Sequence, residues 1–213
     1  MPPKVKFQKE EIIRAALKVA SGQGIDAVTS REVARVLGVS TRPIFTYYET
    51  MEQLRRDVYE LAKRQYRDYI RRGLAEPIPF QGVWRYYLRF AREEPELYRL
   101  LFLTRPGSFT GGATEALRDS QDLVRESVMR IYSMDAHTAD CFSRNLWLSA
   151  FSFAALIVTD DCPYTEEQIL AIGAEISLAL CKAYREIPGL SEGKYDKDAA
   201  FREILGKRAA PEG

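Results

Sequence analysis

The chain is poor in the residues that do acid–base, redox and metal chemistry. It has a single histidine, His137, and only three cysteines, Cys141, Cys162 and Cys181, with no CxxC pair. Neither a disulfide framework nor a structural zinc site can be built from such a set, and a reducing compartment suits it. With no Cys/His cluster, metal sensing has no support, and no cofactor is expected. There is no nucleophile motif, phosphate loop or carboxylate pair at metal-ligand spacing, so the reading is not that of an enzyme. Charge of one sign is lacking too. The 31 Lys and Arg residues face 30 Asp and Glu, leaving a formal charge of +1, so any footprint for nucleic acid must be local. The start, "MPPKVKFQKEE", holds no apolar core of signal-peptide length. The most apolar run, "LWLSAFSFAALIV", is about 13 residues, short of a bilayer span. The expectation is a soluble, cytoplasmic protein with no membrane partner.

What is present is helical periodicity, with no sustained strand alternation up to about residue 187. Ile12, Ile13, Ala16, Leu17 and Ala20 recur at helical spacing and stop at Gly22 and Gly24. Thr29 followed by Glu32 reads as a capping box, and Gly38 as the stop of that helix. Thr50 with Gln53 opens a longer helix to about Arg72, and Thr165 with Gln168 opens the last major one. Between them, the segment from Phe80 to Leu103 is interrupted at Pro95, and "RPGSFTGG" reads as a mobile loop. Two further helices cover about 113–133 and 137–158, and a short one falls near Ala199 to Leu205. The fold class expected is all-α. A three-helix domain over 1–50 joins through a long helix to a bundle over 51–187, about nine helices in all, with a polar tail over 188–213.

Chemistry concentrates in Ser30 to Glu49, which fits a helix-turn-helix position by position. Ala34 is small where two helices cross, and Gly38 stands at the turn. Val33, Leu37, Val39 and Ile44 supply the apolar wedge. Ser40, Thr41, Arg42, Thr46 and Tyr47 are left free of core duty. Short hydroxyls, a guanidinium and a phenol suit phosphates and base edges in a major groove. Pro43 falls in the first turn of the second helix, where a missing N–H costs nothing, and it disposes Arg42 toward an extended conformation. Basic residues, Lys4, Lys6 and Lys9 among them, outnumber acidic ones over the first fifty positions, and the basic start could reach a flanking groove or be a merely solvated tail. The denser run "KRQYRDYIRR" reads instead as a solvated face.

The stretch "IIRAALKVASGQGIDAVTSREVARVLGVSTRPIFTYYETMEQL" resembles the DNA-binding domain of the tetracycline-repressor (TetR) family in helix order, spacing and its G-V-S turn. Phe45, Tyr47 and Tyr48 hold that family's aromatic positions, while Met51 stands where a phosphate-binding lysine is common. "YLRFAREEPELYRLLF" is similar to one broad type of TetR regulatory domain. "WLSAFS" takes the place of its W-x-x-x-H-G signature, with Phe151 for the histidine and Ser152 for the glycine. The resemblance implies a repressor that binds a pseudo-palindromic double-stranded operator as a homodimer, joined through the last two long helices and released by a small-molecule effector. Gly173, Ala174, Ser177 and Ala179 would allow such close helix approach. On the DNA side it implies Thr29, Ser30, Arg31, Ser40, Thr41, Arg42, Pro43, Phe45, Thr46 and Tyr47. For an apolar or aromatic effector the aromatic residues Trp84, Tyr87, Phe90, Tyr98, Phe102, Trp147 and Phe151 are candidates, with Asn145 as a polar handle. An all-helical lipid carrier or enzyme with a fortuitous helix pair, and an architectural DNA binder without effector, are the other readings.

Overall fold

The structure, a computed structural model, describes residues 8–206. Lys4 and Lys6 of the basic start lie outside the described residues, as does the end of the polar tail. The order is α1 (Lys9–Gln23), a 3-10 turn (Ile25–Ala27), α2 (Ser30–Leu37), α3 (Arg42–Tyr47), α4 (Met51–Leu74), α5 (Pro79–Glu93) and α6 (Pro95–Tyr98). A π-helical turn (Arg99–Leu103) follows, then α7 (Gly112–Tyr132), α8 (Ala136–Val158), α9 (Glu166–Glu186) and α10 (Lys197–Gly206). Among the described residues no strand occurs, and there are ten α-helices rather than about nine. The extra one arises because Pro95 restarts the chain as a separate short helix after Glu94 leaves helical geometry.

Local chemistry explains most boundaries. Capping boxes close both ways at Thr50–Gln53 and Thr165–Gln168, and a third, Gln8–Glu11, starts α1. At α2 only half of the expected box forms. Thr29 accepts the Glu32 N–H, but the Glu32 carboxylate turns away to Arg35, 2.9 Å from its Nε. Gly38 ends α2 with φ 68° and ψ 31°, a left-handed conformation that side chains resist. Arg42 is itself the first residue of α3, so Pro43 does not hold it extended; the helix outweighs the local preference.

Two corrections concern α4 and its neighbours. The basic run near its end is solvated only along Arg64, Asp68, Arg71 and Arg72, because helical spacing turns Tyr66, Tyr69, Ile70 and Gly73 inward against the bundle. Its charges pair across to α7: Lys63 meets Glu115 and Asp119, and Arg67 lies 2.8 Å from Asp119. The loop after the π turn is anchored on the same helix. Gly111 N–H donates to Tyr59 Oη (3.1 Å), and Arg56 reaches the Ser108 carbonyl.

Helices α4 and α5 cross at two glycines that sequence reading passed over. A Cβ on Gly82 would lie 2.2 Å from the Gly73 carbonyl oxygen. The backbones therefore touch directly, and α5 is held tightly on the helix that connects to the N-terminal domain. The apolar run Leu146 to Val158 belongs to a 23-residue helix, long and apolar enough by length and composition to cross a membrane. Phe142, Leu146, Trp147, Ala150, Ala154 and Val158 are buried within the bundle, which accounts for that apolarity.

Candidate functional site

The first three helices pack around Ile12, Ala16, Val33 and Ile44, all almost fully buried. Short helices are marginal alone, so this shared core and the grip of α4 hold them. Tyr48, just after α3, is buried and donates its hydroxyl to Asp57 of α4 at 2.8 Å. Lys9 of α1 sits 2.8 Å from the same carboxylate and 5.1 Å from the Tyr48 ring centre. Burial opposes ionisation of Asp57, but hydrogen bonds from Lys9 and Tyr48 outweigh it and hold the carboxyl below its ordinary value. Burial, with the Asp57 contact, pushes the Tyr48 phenol far up. Lys9 is thus spent on fastening α1 to α4 rather than left over for DNA.

With the inner face so committed, the outer one is left exposed. Thr29, Arg31, Ser40, Arg42, Phe45, Thr46 and Tyr47 are exposed, while Ser30, Thr41 and Pro43 are half-buried. Phe45 and Tyr47 are conspicuous as large rings 53% and 40% exposed, while Ile44, just before Phe45, is fully buried. Thr46 Oγ1 donates back to the Arg42 carbonyl (3.2 Å), leaving its lone pairs outward. No side-chain cap occupies Thr41, and Arg42 has no carboxylate partner among the described residues. Met51 packs against the core at the start of α4.

Residues 12–58 match the family model described as bacterial regulatory proteins, tetR family, a span covering this domain from α1 into α4. They form a TetR-family DNA-binding domain. The likeness to solved structures runs further along the chain. The fatty acid degradation regulator FadR from Bacillus halodurans superposes with a TM-score of 0.56 at 16% identity, over 82% of this chain and 98% of that one. RolR in complex with resorcinol gives 0.51 at 17% identity, over 95% and 94%. Identities this low speak for the fold alone, which is shared well beyond the TetR domain. Comparison with curated protein sequences gives no match.

Behind the TetR domain, two chambers open between α4, α5, α7, α8 and α9. The inner one has about 60 Å³ of room for water-sized spheres, the outer about 210 Å³, and both are walled by Phe80, Trp84 and Leu146. Of the aromatic candidates, Trp84, Tyr87 and Trp147 line the inner chamber. Phe90, Tyr98 and Phe102 are fully buried and pack behind that wall rather than on it; Tyr87 and Tyr98 share a hydrogen bond of 3.0 Å. Phe151 stacks on Trp147 (5.2 Å, 21°), and Asn145 turns toward α9 to donate to Tyr184 Oη at 2.9 Å.

Sequence reading missed Tyr66 and Ser143, which also line the chamber. Ser143 stands one turn before Trp147 on the same face, a spacing that could have flagged it. Ser120 donates its proton to the Ala116 carbonyl, so Tyr66 must be the donor to Ser120 in their 2.7 Å bond. Burial raises the Tyr66, Tyr87 and Tyr98 phenols above their ordinary value, so all stay neutral. Among the described residues, no charged side chain lines either chamber. Among the described residues, no cluster of His, Cys, Asp and Glu could hold a metal.

A polar joint lies between chamber and TetR domain. Glu94, where α5 breaks, accepts from Ser21 of α1 at 2.5 Å and from Gln65 of α4 at 2.8 Å. The chain then runs directly into Tyr98 and Phe102, which touch the chamber's aromatic wall.

Proposed function

We propose that the chain is a ligand-responsive transcriptional regulator, a repressor that binds a pseudo-palindromic operator as a homodimer and lets go when a small apolar effector enters the chambers. One observation carries this reading. A TetR-family DNA-binding domain with an exposed polar and aromatic outer face is fastened to a bundle holding uncharged, apolar chambers, and Glu94 ties the two together. Arg42, Thr46 and Tyr47 would reach base edges, with Ser40, Thr41, Pro43 and Phe45 beside them. Thr29, Ser30 and Arg31 at the start of α2 would meet phosphates.

The proposed dimer forms through α8 and α9. In the single chain only Ile169 and Gly173 of α9 are buried, and Leu148 and Leu178 are 48% and 72% exposed. A second copy laid on this face would cover them. A regulator of this kind works in the cytoplasm, at the nucleoid, without catalysing a reaction. Effector binding would favour a dimer geometry whose paired α3 helices no longer match half-sites about one DNA turn apart. Fluorescence titration against intergenic DNA around the protein's own gene tests the reading. Salt-sensitive, competitor-resistant binding is expected, and its absence from every neighbouring intergenic segment would refute it.

A further inference from the structure

The chambers carry a signature of what they take. Among the described residues, three buried polar atoms have no hydrogen-bond partner in the protein: Trp84 Nε1, Trp147 Nε1 and Ser143 Oγ. All three side chains line the inner chamber and are at least nine-tenths buried. Buried polar groups are nearly always paired, so three orphans around one cavity mark a place where the partner comes from outside the chain. Trp147 stands beside the Tyr66 phenol and favours its ionisation, but its N–H meets no acceptor within hydrogen-bonding distance and angle. The Trp84 edge that bears nitrogen faces Gly173, where a Cβ would come within 2.8 Å of Nε1, so it looks toward the outer chamber.

An indole N–H can only donate, and a serine hydroxyl can donate as well. The site therefore asks for acceptors. No cation lines either chamber, so a carboxylate or phosphate would be buried without a counter-charge, at prohibitive cost. Solvent in the chamber would serve the same groups. A hydrocarbon displacing it would forfeit those bonds, whereas a carbonyl oxygen would keep them. The outer chamber exceeds the roughly 150 Å³ that admits a benzene-sized guest.

We infer that the effector is an uncharged, ring-sized carbonyl compound, a ketone, lactone or ester. Its ring lies in the outer chamber and its acceptor oxygen reaches past the shared Trp84 and Leu146 wall into the inner one, taking the Trp147 N–H and Ser143 hydroxyl, while a second acceptor, where present, takes Trp84. This deepens the ligand-responsive reading above and rests on it.

The chain contains two tryptophans, and both wall this site, so its two indole N–H resonances report the cavity directly. The test titrates the ¹⁵N-labelled full chain with 1-indanone, indane and indane-1-carboxylate, assigning peaks with Trp84→Phe and Trp147→Phe. The ketone is expected to move the Trp147 resonance downfield. Indane should bind about tenfold more weakly, and the carboxylate should leave both peaks in place. Ser143→Ala, which removes only an oxygen, should weaken the ketone several-fold and leave indane unchanged. Equal binding of indane, or tighter binding of the carboxylate, overturns the carbonyl class while the ligand site stands. If no compound moves either resonance, the carbonyl assignment falls, while operator binding in the DNA titration leaves the regulator reading standing and its absence overturns that reading as well.

Discussion

The α4–α5 crossing offers a sharp test, because it opposes a steric cost to a known helix preference. In the middle of a helix Gly→Ala ordinarily gains up to about 1 kcal/mol. At Gly82 the new methyl would sit 2.2 Å from the Gly73 carbonyl oxygen and 2.8 Å from Glu76 Cβ, whereas ordinary contact begins at 3.4 Å. The obstacle at Gly73 is backbone, not a side chain that can swing aside, so α5 must move off α4. Overpacking of this kind costs about 1–3 kcal/mol and sometimes more. We expect Gly82→Ala to destabilise by about 2 kcal/mol net, which lowers Tm by about 4–8 °C in a chain of this size. Gly22→Ala is the control. It is exposed on α1 with nothing within 4 Å of the added methyl, and should be neutral or stabilising by a few tenths of a kcal/mol. Gly73→Ala meets Val83 N at 2.6 Å, so the double variant with Gly82→Ala should cost less than the two singles added, since one displacement relieves both clashes. Thermal and urea unfolding followed by helical circular dichroism measure all four. A Gly82→Ala protein as stable as the parent, with unchanged cooperativity, would refute the claim that the two backbones touch.

Three other outcomes follow from the sites described. Arg42→Ala and Tyr47→Ala should each weaken operator binding by about 1–3 kcal/mol in anisotropy titrations while leaving the helical signal intact; unchanged affinity in both would move the readout elsewhere. Asp57 has a folded pKa below its ordinary 3.8, so its contribution is present above that value and fades as pH falls through the lower folded one. Asp57→Asn should therefore be less stable than the parent near neutrality, with the gap closing in acid denaturation, and a pH-independent gap would contradict the Lys9–Tyr48 anchor. Glu94→Gln keeps the size of the joint but weakens its acceptance from Ser21 and Gln65, so effector should shift operator affinity less than in the parent. A full effector response in that variant would place the coupling on another contact.

Many of the helix boundaries are legible in the chain itself, because local rules carry them. Caps at Thr29, Thr50 and Thr165, the left-handed stop at Gly38 and the helical spacing of Ile12, Ala16 and Ala20 act within one or two turns. Local preferences also competed with one another, as where Glu32 turned to Arg35 one turn on and Arg42 entered its helix despite Pro43; tertiary packing prevailed where the charged stretch ending α4 folded inward through Tyr66 and Ile70.

What the sequence alone determined is the kind of protein: all-helical, with a glycine-turned helix pair whose outward residues are polar and aromatic, and no catalytic set visible in its motifs. Only tertiary structure decided which aromatics face a chamber and which fill the core. Trp84 and Phe90 have similar patterns in sequence and lie on one helix, yet Trp84 lines both chambers and Phe90 neither. That difference depends on where α7, α8 and α9 come to rest around α5. So does the orphaning of two indoles and a serine, since an unmet hydrogen bond is a property of what surrounds a group and cannot be written in its neighbours along the chain.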